Sequence, residues 1–103
     1  MIKVSVLYPY TEGASFDMDY YFNSHIPMVR EKLGTACTGI SVDQGLGGTV
    51  PGTPPAFVVM AHLSFDTVGE FQAAFAPHAK EIEGDIANYT SIPPTVQISD
   101  VKV

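Results

Sequence analysis

Phe57–Phe65, FVVMAHLSF, is the most apolar run in the chain, and its reading decides how everything else is arranged. As a strand it places Phe57, Val59, Ala61, Leu63 and Phe65 on one face and Val58, Met60, His62 and Ser64 on the other. Both faces then need cover, as in a strand buried within a sheet. On its C-terminal side, Asp66 is a natural N-cap for a helix carrying Val68, Phe71, Ala74 and Phe75 on one stripe. Pro77 interrupts that stripe, which resumes from His78 with Ile82, Ile86 and Tyr89. On the N-terminal side, GGTVPGTPPA (Gly47–Ala56) has three prolines and three glycines in ten residues and must be a loop. A long hairpin connection is the simpler role for it, a flap over a pocket mouth the alternative.

Further out, Gly39–Leu46 alternates through Ile40, Val42 and Leu46 and reads as a strand. Asp17–Leu33, DMDYYFNSHIPMVREKL, reads as an amphipathic helix capped by Asp17 and stopped at Gly34. Ile2–Tyr8 is an alternating first strand ended by Pro9, and Thr95–Val103 is a last strand following Pro93 and Pro94. The order is βαββαβ, which predicts an α+β, ferredoxin-like domain over residues 1–103: an antiparallel four-stranded sheet with two helices on one face. The second sheet face, with Val58 and Met60, is left bare. Pairing of two copies into a homodimer would cover it. A hydrophobic content of 46% against 16% charged residues fits an oligomer that buries a second apolar face.

The net charge of −6 and the absence of any Lys/Arg cluster argue against nucleic acid as a partner. No apolar run approaches the roughly 20 residues of a membrane span, and the first residues alternate rather than follow a signal-peptide layout. These features, with the lone Cys37 that can form no intrachain disulfide, lead to the expectation of a cytoplasmic protein with no membrane partner. Cys37 itself reads as a small buried thiol after a helix.

Within the first helix, Met18, Tyr21, Phe22, His25, Val29 and Leu33 form one stripe, so a histidine sits in an apolar face. Pro27 cannot donate to the Asn23 carbonyl and presses its ring against it, which predicts a kink there. Space beside a group that titrates near neutrality would make a pocket. Equally, His25 is readable as a core histidine satisfied by a backbone carbonyl, with Pro27 opening a second helical segment. Pro77 and His78 repeat the device in the second helix.

The segments MIKVSVLYP, FDMDYYFNSHIPMV, HLSFDTVGEFQAAFAPHA and NYTSIPPTVQIS together resemble the EthD family, named for a protein of ethyl tert-butyl ether degradation. DYYxxxHxP and FxxxFxPHA are the specific parts, and the likeness extends over nearly the whole chain. The resemblance implies membership of the dimeric α/β-barrel superfamily, in which two ferredoxin-like subunits pair their sheets into a barrel with helices outside. Superfamily members include cofactor-free monooxygenases, muconolactone isomerases, polyketide cyclases and haem-dependent enzymes, and the fold does not choose among them. In the acid/base members the pocket lies between helices and sheet, and histidines on the first helix and near the second carry protons. By motif, those roles fall on His25 and His78.

Proton abstraction next to a carbonyl, or cyclisation of a polyketide, needs a base near neutral pKa and a polar group for the enolate. Imidazole meets the first need, and Tyr21, one turn before His25, is a candidate for the second, with Tyr89 another. Phe22, Val29, Leu63, Phe71 and Phe75 would accept a small hydrophobic organic molecule, or else pack as ordinary core. His62 has the opposite parity from Val59, Ala61 and Leu63, points away from the helices, and is expected to be structural. No HxxxH, HxH or CxxC spacing marks a metal site, and there is no cationic cluster for haem propionates, so no cofactor is expected. The reading is cofactor-free isomerase, cyclase/lyase or monooxygenase chemistry on an aromatic or polyketide-like catabolic intermediate. Its alternative is a non-catalytic ligand-binding or accessory protein of an oxygenase or ether-degradation system.

Overall fold

In the computed structural model, which describes residues 1–103, the parity of the apolar strand is what organises the sheet. Along β3 (Phe57–Phe65), Val59, Ala61, Leu63 and Phe65 are buried while Val58, Met60, His62 and Ser64 are half-buried. β3 pairs antiparallel with β1 (Ile2–Pro9) and β2 (Gly39–Gln44), and β1 pairs antiparallel with β4 (Thr95–Asp100), giving the order β2-β3-β1-β4. This is the ferredoxin-like arrangement, and both helical regions lie on the face bearing Val4, Val59, Ala61 and Leu63. No helix is long and apolar enough to cross a membrane.

Element ends differ from the sequence reading for local reasons. β1 continues through Pro9 with a register shift after Tyr8. This is tolerated because β4 stops pairing at Leu7, so the N–H that Pro9 lacks is not needed on that side. β2 ends at Gln44 rather than Leu46, and β4 at Asp100 rather than Val103. The connection to β3 therefore starts at Gly45, two residues before Gly47, and runs to Ala56. A Cβ on Gly45 would collide with the Phe57 carbonyl, so only glycine lets the hairpin close at this point.

The first helical region is not one kinked helix. It runs as α1 (Met18–Tyr20), a π-helical turn (Tyr21–His25) and α2 (Ile26–Leu33). Asp17 caps it, accepting from the Tyr20 N–H at 3.0 Å. The irregularity precedes Pro27 rather than following it: the Ile26 N–H reaches back five residues to the Tyr21 carbonyl. A wider turn relieves the crowding that the proline ring imposes on the Asn23 carbonyl. Gly34, at φ 62°, ends α2 in a backbone region that favours glycine.

The second region comprises α3 (Val68–Phe75), a 3₁₀ turn (Ala76–His78), α4 (Ala79–Gly84) and a 3₁₀ turn (Ile86–Asn88). Its cap is Thr67 and not Asp66. The Thr67 hydroxyl accepts from the Glu70 N–H at 3.1 Å, and its extended backbone ends the strand-to-helix turn one residue later than expected.

The core has two parts. Ile2, Val4, Val29, Leu33, Ala61, Leu63, Phe65 and Ile82 pack beneath α2 to α4. Tyr8, Tyr21, Val59, Tyr89 and Ile92 form a second, aromatic cluster near the start of the first helical region. On β4, Val96 and Ile98 lie opposite Val6 and Val4, on the helix side, yet remain 56% and 43% exposed. The helices therefore leave the β4 edge uncovered.

Candidate functional site

Between the helices and the sheet lies a cavity of about 480 Å³. β1 contributes Val4, Val6 and Tyr8 to its wall, β3 contributes Ala61 and Leu63, and β4 contributes the exposed Val96, so it opens toward the uncovered edge. The first helical region adds Tyr21, His25, Ile26, Val29 and Leu33, and the second adds Phe71, Phe75, Ile82, Glu83 and Ile86. Fourteen of the 17 lining residues are hydrophobic. Such a wall accepts a flat organic molecule and leaves orientation to a few polar atoms.

His25 is one of them, and its surroundings decide its state. It is 5% exposed, and its Nδ1 lies 2.8 Å from Asp85 Oδ2. Burial pushes its pKa down, against the Asp85 carboxylate that favours the charged ring. For Asp85, burial raises the carboxyl, but hydrogen bonds from Tyr20, Asn88 and His25 outweigh it and hold the group below the usual carboxylate range. At neutral pH the pair is thus a carboxylate and a neutral imidazole. A carboxylate can only accept, so Nδ1 carries the hydrogen and Nε2 the lone pair.

The remaining polar atoms connect through this tautomer. Tyr89 Oη is 3.3 Å from His25 Nε2 and 2.6 Å from Tyr8 Oη. With a lone pair on Nε2, Tyr89 donates to the imidazole and Tyr8 donates to Tyr89, since each phenol has one hydrogen. On the far side, Asp85 Oδ1 accepts from Tyr20 Oη at 2.6 Å and from Asn88 Nδ2 at 2.9 Å. Tyr21 stacks on His25 with ring centroids 5.5 Å apart and planes at 16°, which the π-helical turn permits. Burial pushes the phenols of Tyr8, Tyr21 and Tyr89 up, so all three stay protonated.

The chain brings these groups together by pinning two connections. Asp17 N–H donates to the Tyr89 carbonyl at 2.8 Å, Phe16 and Thr90 form a β-bridge, and the Thr90 hydroxyl donates to the Ser15 carbonyl at 2.8 Å. Tyr89 is thereby held against the first helical region, with its hydroxyl reaching His25, 64 residues earlier in sequence.

Of the expected site residues, His25, Tyr21, Val29, Leu63 and Phe75 line the cavity. Three are placed otherwise. Phe22 is 43% exposed and outside the cavity, because the extra residue in the π-helical turn rotates it outward from the stripe it would share in a regular helix. His78 is half-buried on the 3₁₀ turn after Pro77 and does not line the cavity, so it does not share it with His25. Tyr89 is not in the wall but behind it, contacting Tyr8 and His25. His62 faces away from the helices, as its parity predicts, and pairs across the strands with Ser5 Oγ at 2.7 Å. Glu83 is the one carboxylate of the lining and is exposed at the rim. No three His, Cys, Asp or Glu side chains converge as metal ligands.

Asp85 and Tyr8 escaped the sequence reading. A signal existed for each. Asp85 precedes Tyr89 by four residues, the spacing of neighbours on a helix surface. Tyr8 shares the inward parity of Val4 and Val6.

Comparison with known proteins agrees with this architecture. The model of the EthD domain matches residues 12–93. An EthD-like protein of Ralstonia eutropha JMP134 has a crystal structure that superposes with a TM-score of 0.95 at 54% identity, covering 99% of this chain and 92% of that one. An ethyl tert-butyl ether degradation (EthD) family protein of Bacillus halodurans C-125 superposes with a TM-score of 0.76 at 22% identity, covering 99% of both chains. By sequence, an uncharacterized 11.0 kDa protein from the thcB-thcC intergenic region of Rhodococcus erythropolis is 28% identical over 102 residues, covering 97% of this chain and 94% of that protein.

Proposed function

The chain belongs to the EthD family, and from that premise we propose that it performs cofactor-free acid/base chemistry, His25 removing a proton from a flat, aromatic or polyketide-like molecule held in the apolar cavity. The observation that carries this reading is the Asp85 carboxylate 2.8 Å from His25 Nδ1, which sets the tautomer of His25. A neutral imidazole, oriented by a carboxylate on Nδ1 and with its Nε2 lone pair meeting the Tyr89 hydroxyl at the edge of an otherwise apolar cavity, is the arrangement of a general base. A core histidine needs no such carboxylate, and three donors would not otherwise be spent on Asp85. Tyr21, in the wall, is the donor available to an enolate oxygen. Isomerisation, cyclisation and cofactor-free oxygenation all begin with this proton abstraction. His78 has no part in it.

The molecule works as a homodimer in this reading. The outer sheet face has an apolar centre at Leu7 and Met60, which face each other across β1 and β3, with Ser5, His62, Asp43, Thr95 and Gln97 around it. An apolar centre within a polar rim is the composition of a protein interface. Light scattering at micromolar concentration should give a dimer mass, and a monomer would end the barrel assignment. The compartment in this reading is the cytoplasm.

The base is tested with β-tetralone, an aryl-fused ketone with an acidic carbon next to the carbonyl. In heavy water, wild-type protein should speed deuterium uptake at that carbon, followed by NMR, and His25→Gln should return it to the buffer rate with binding intact. β-Tetralone that binds the wild type without any gain in exchange would show a binding module rather than a base.

A further inference from the structure

His25 has no nitrogen left to meet a ligand directly. Nδ1 is occupied by Asp85, and Nε2 faces the hydroxyl of Tyr89, which stands behind the cavity wall. The hydroxyl of Tyr89 is in turn 2.6 Å from that of Tyr8, and Tyr8 does line the cavity. We propose that the base acts at a distance: Tyr8 is the catalytic residue that touches the substrate, and Tyr89 passes the proton from Tyr8 to His25. This rests on the reading of His25 as the base and names the groups through which it works.

The step balances as a concerted shift of one positive charge. The bond between hydrogen and the substrate's acidic carbon or oxygen breaks, and that proton joins Tyr8 Oη. The hydrogen of Tyr8 moves to Tyr89 Oη, and the hydrogen of Tyr89 moves to His25 Nε2. The electron pair of the broken bond stays on the substrate, which becomes an enolate or phenolate. His25 becomes an imidazolium next to the Asp85 carboxylate, and both tyrosines end as neutral phenols. No phenolate is formed on the way, which suits phenols kept protonated by burial. The same shift also reorients Tyr8. Its hydrogen, which faced Tyr89 before, now faces the cavity and the new anion, so the group that received the proton becomes its hydrogen-bond donor. Running the relay backwards delivers the proton to a different atom of the same anion, which is an isomerisation.

The relay also limits the substrate class. The acidic hydrogen must reach the Tyr8 end of the cavity, next to the aromatic cluster of Tyr21 and Phe16. The rest of the molecule then lies on the apolar wall of Val6, Ala61, Val4 and Leu63, which continues along the strands from Tyr8. A ring carrying a carbonyl or hydroxyl at one end and apolar at the other fits this order.

The test is the β-tetralone exchange with Tyr8→Phe, Tyr89→Phe, the double variant and His25→Gln, each checked for melting temperature and for β-tetralone binding by NMR line broadening. Tyr8→Phe and Tyr89→Phe should each lower exchange about 100-fold or more, the scale of a general acid/base contribution. The double variant should be no slower than either single one, because the parts of one relay fail together. Loss of deuterium from carbon-deuterated β-tetralone in mixtures of light and heavy water should show a curved dependence on isotope fraction in the wild type, reporting more than one moving proton. Exchange in Tyr89→Phe within 3-fold of wild type, with His25→Gln inactive, would overturn the relay while leaving His25 as a direct base. Exchange undiminished in His25→Gln would remove the base itself. Curvature in the isotope mixtures replaced by a straight line in the wild type would also overturn the relay.

Discussion

Replacing Asp85 by Asn changes one atom and should cost most of the proton-transfer activity. Two donors, Tyr20 Oη at 2.6 Å and Asn88 Nδ2 at 2.9 Å, converge on Oδ1, while His25 Nδ1 meets Oδ2 at 2.8 Å. An amide has one oxygen and one NH₂. The two donors claim the oxygen, so the NH₂ of the new residue faces His25 and forces Nδ1 to accept. The ring hydrogen moves to Nε2, where the lone pair was. A general base in the wrong tautomer loses its contribution, about 10² to 10⁴-fold in rate, or about 3–5 kcal/mol of transition-state stabilisation. The fold is affected far less, since shape and bond count survive. Weakening the bond between His25 and residue 85 from charge-assisted to neutral costs about 1 kcal/mol. Two measurements decide it: β-tetralone exchange, and long-range proton–nitrogen NMR of the imidazole, which separates the tautomers by their nitrogen shifts. An Asp85→Asn protein that keeps the hydrogen on Nδ1 and exchanges at the wild-type rate would refute the role given to Asp85 and the tautomer argument with it.

Burial lowers the His25 pKa below its ordinary 6.5, so between those values the unfolded chain binds a proton that the folded chain does not. Stability should therefore fall as pH drops below about 6.5, and fall again below the ordinary 3.8 of Asp85 as its lowered pKa is approached; denaturant melts from pH 8 to 3, beside an imidazole NMR titration with its midpoint under 6.5, check both. Thr67→Ala should destabilise the protein by about 1 kcal/mol, and Asp66→Ala by less, since Thr67 holds the cap; thermal melts of both variants measure this. Met60→Lys places a charge at the centre of the outer sheet face and should give a folded monomer by light scattering, whereas an unchanged dimer would mean that this face is not the interface.

The sheet was legible because its signal is local and redundant. Val59, Ala61 and Leu63 alternate with Val58, Met60 and His62, and a period of two survives any uncertainty in where the strand ends. The helices were harder because their phase is reset inside them. Phe22 belongs to the same stripe as His25 only if 3.6 residues make each turn, and one wider turn is enough to expose it. The 3₁₀ turn at Ala76–His78 likewise breaks the phase that would have carried His78 inward with Phe75. His25 was readable as a polar residue on an apolar stripe. Asp85 was not, since its partner lies 60 residues earlier and only the return of the second helical region beside the first makes the pair.

The π-helical turn has a consequence for how such a site is gained and lost. The flanking helices keep Val29 and Leu33 in the core on one side and the Asp17 cap on the other, so the widened turn is absorbed locally. Removal of the exposed Asn23 would take out the extra residue of the widened turn but leave Pro27 pressing on the carbonyl four residues before it, then that of Phe22. The imidazole would then shift relative to the ring beneath it, while the core that holds the domain together stayed in register. Stability and the placing of His25 are thus carried by separable parts of one helical region, and a deletion within the turn would move the imidazole without removing it.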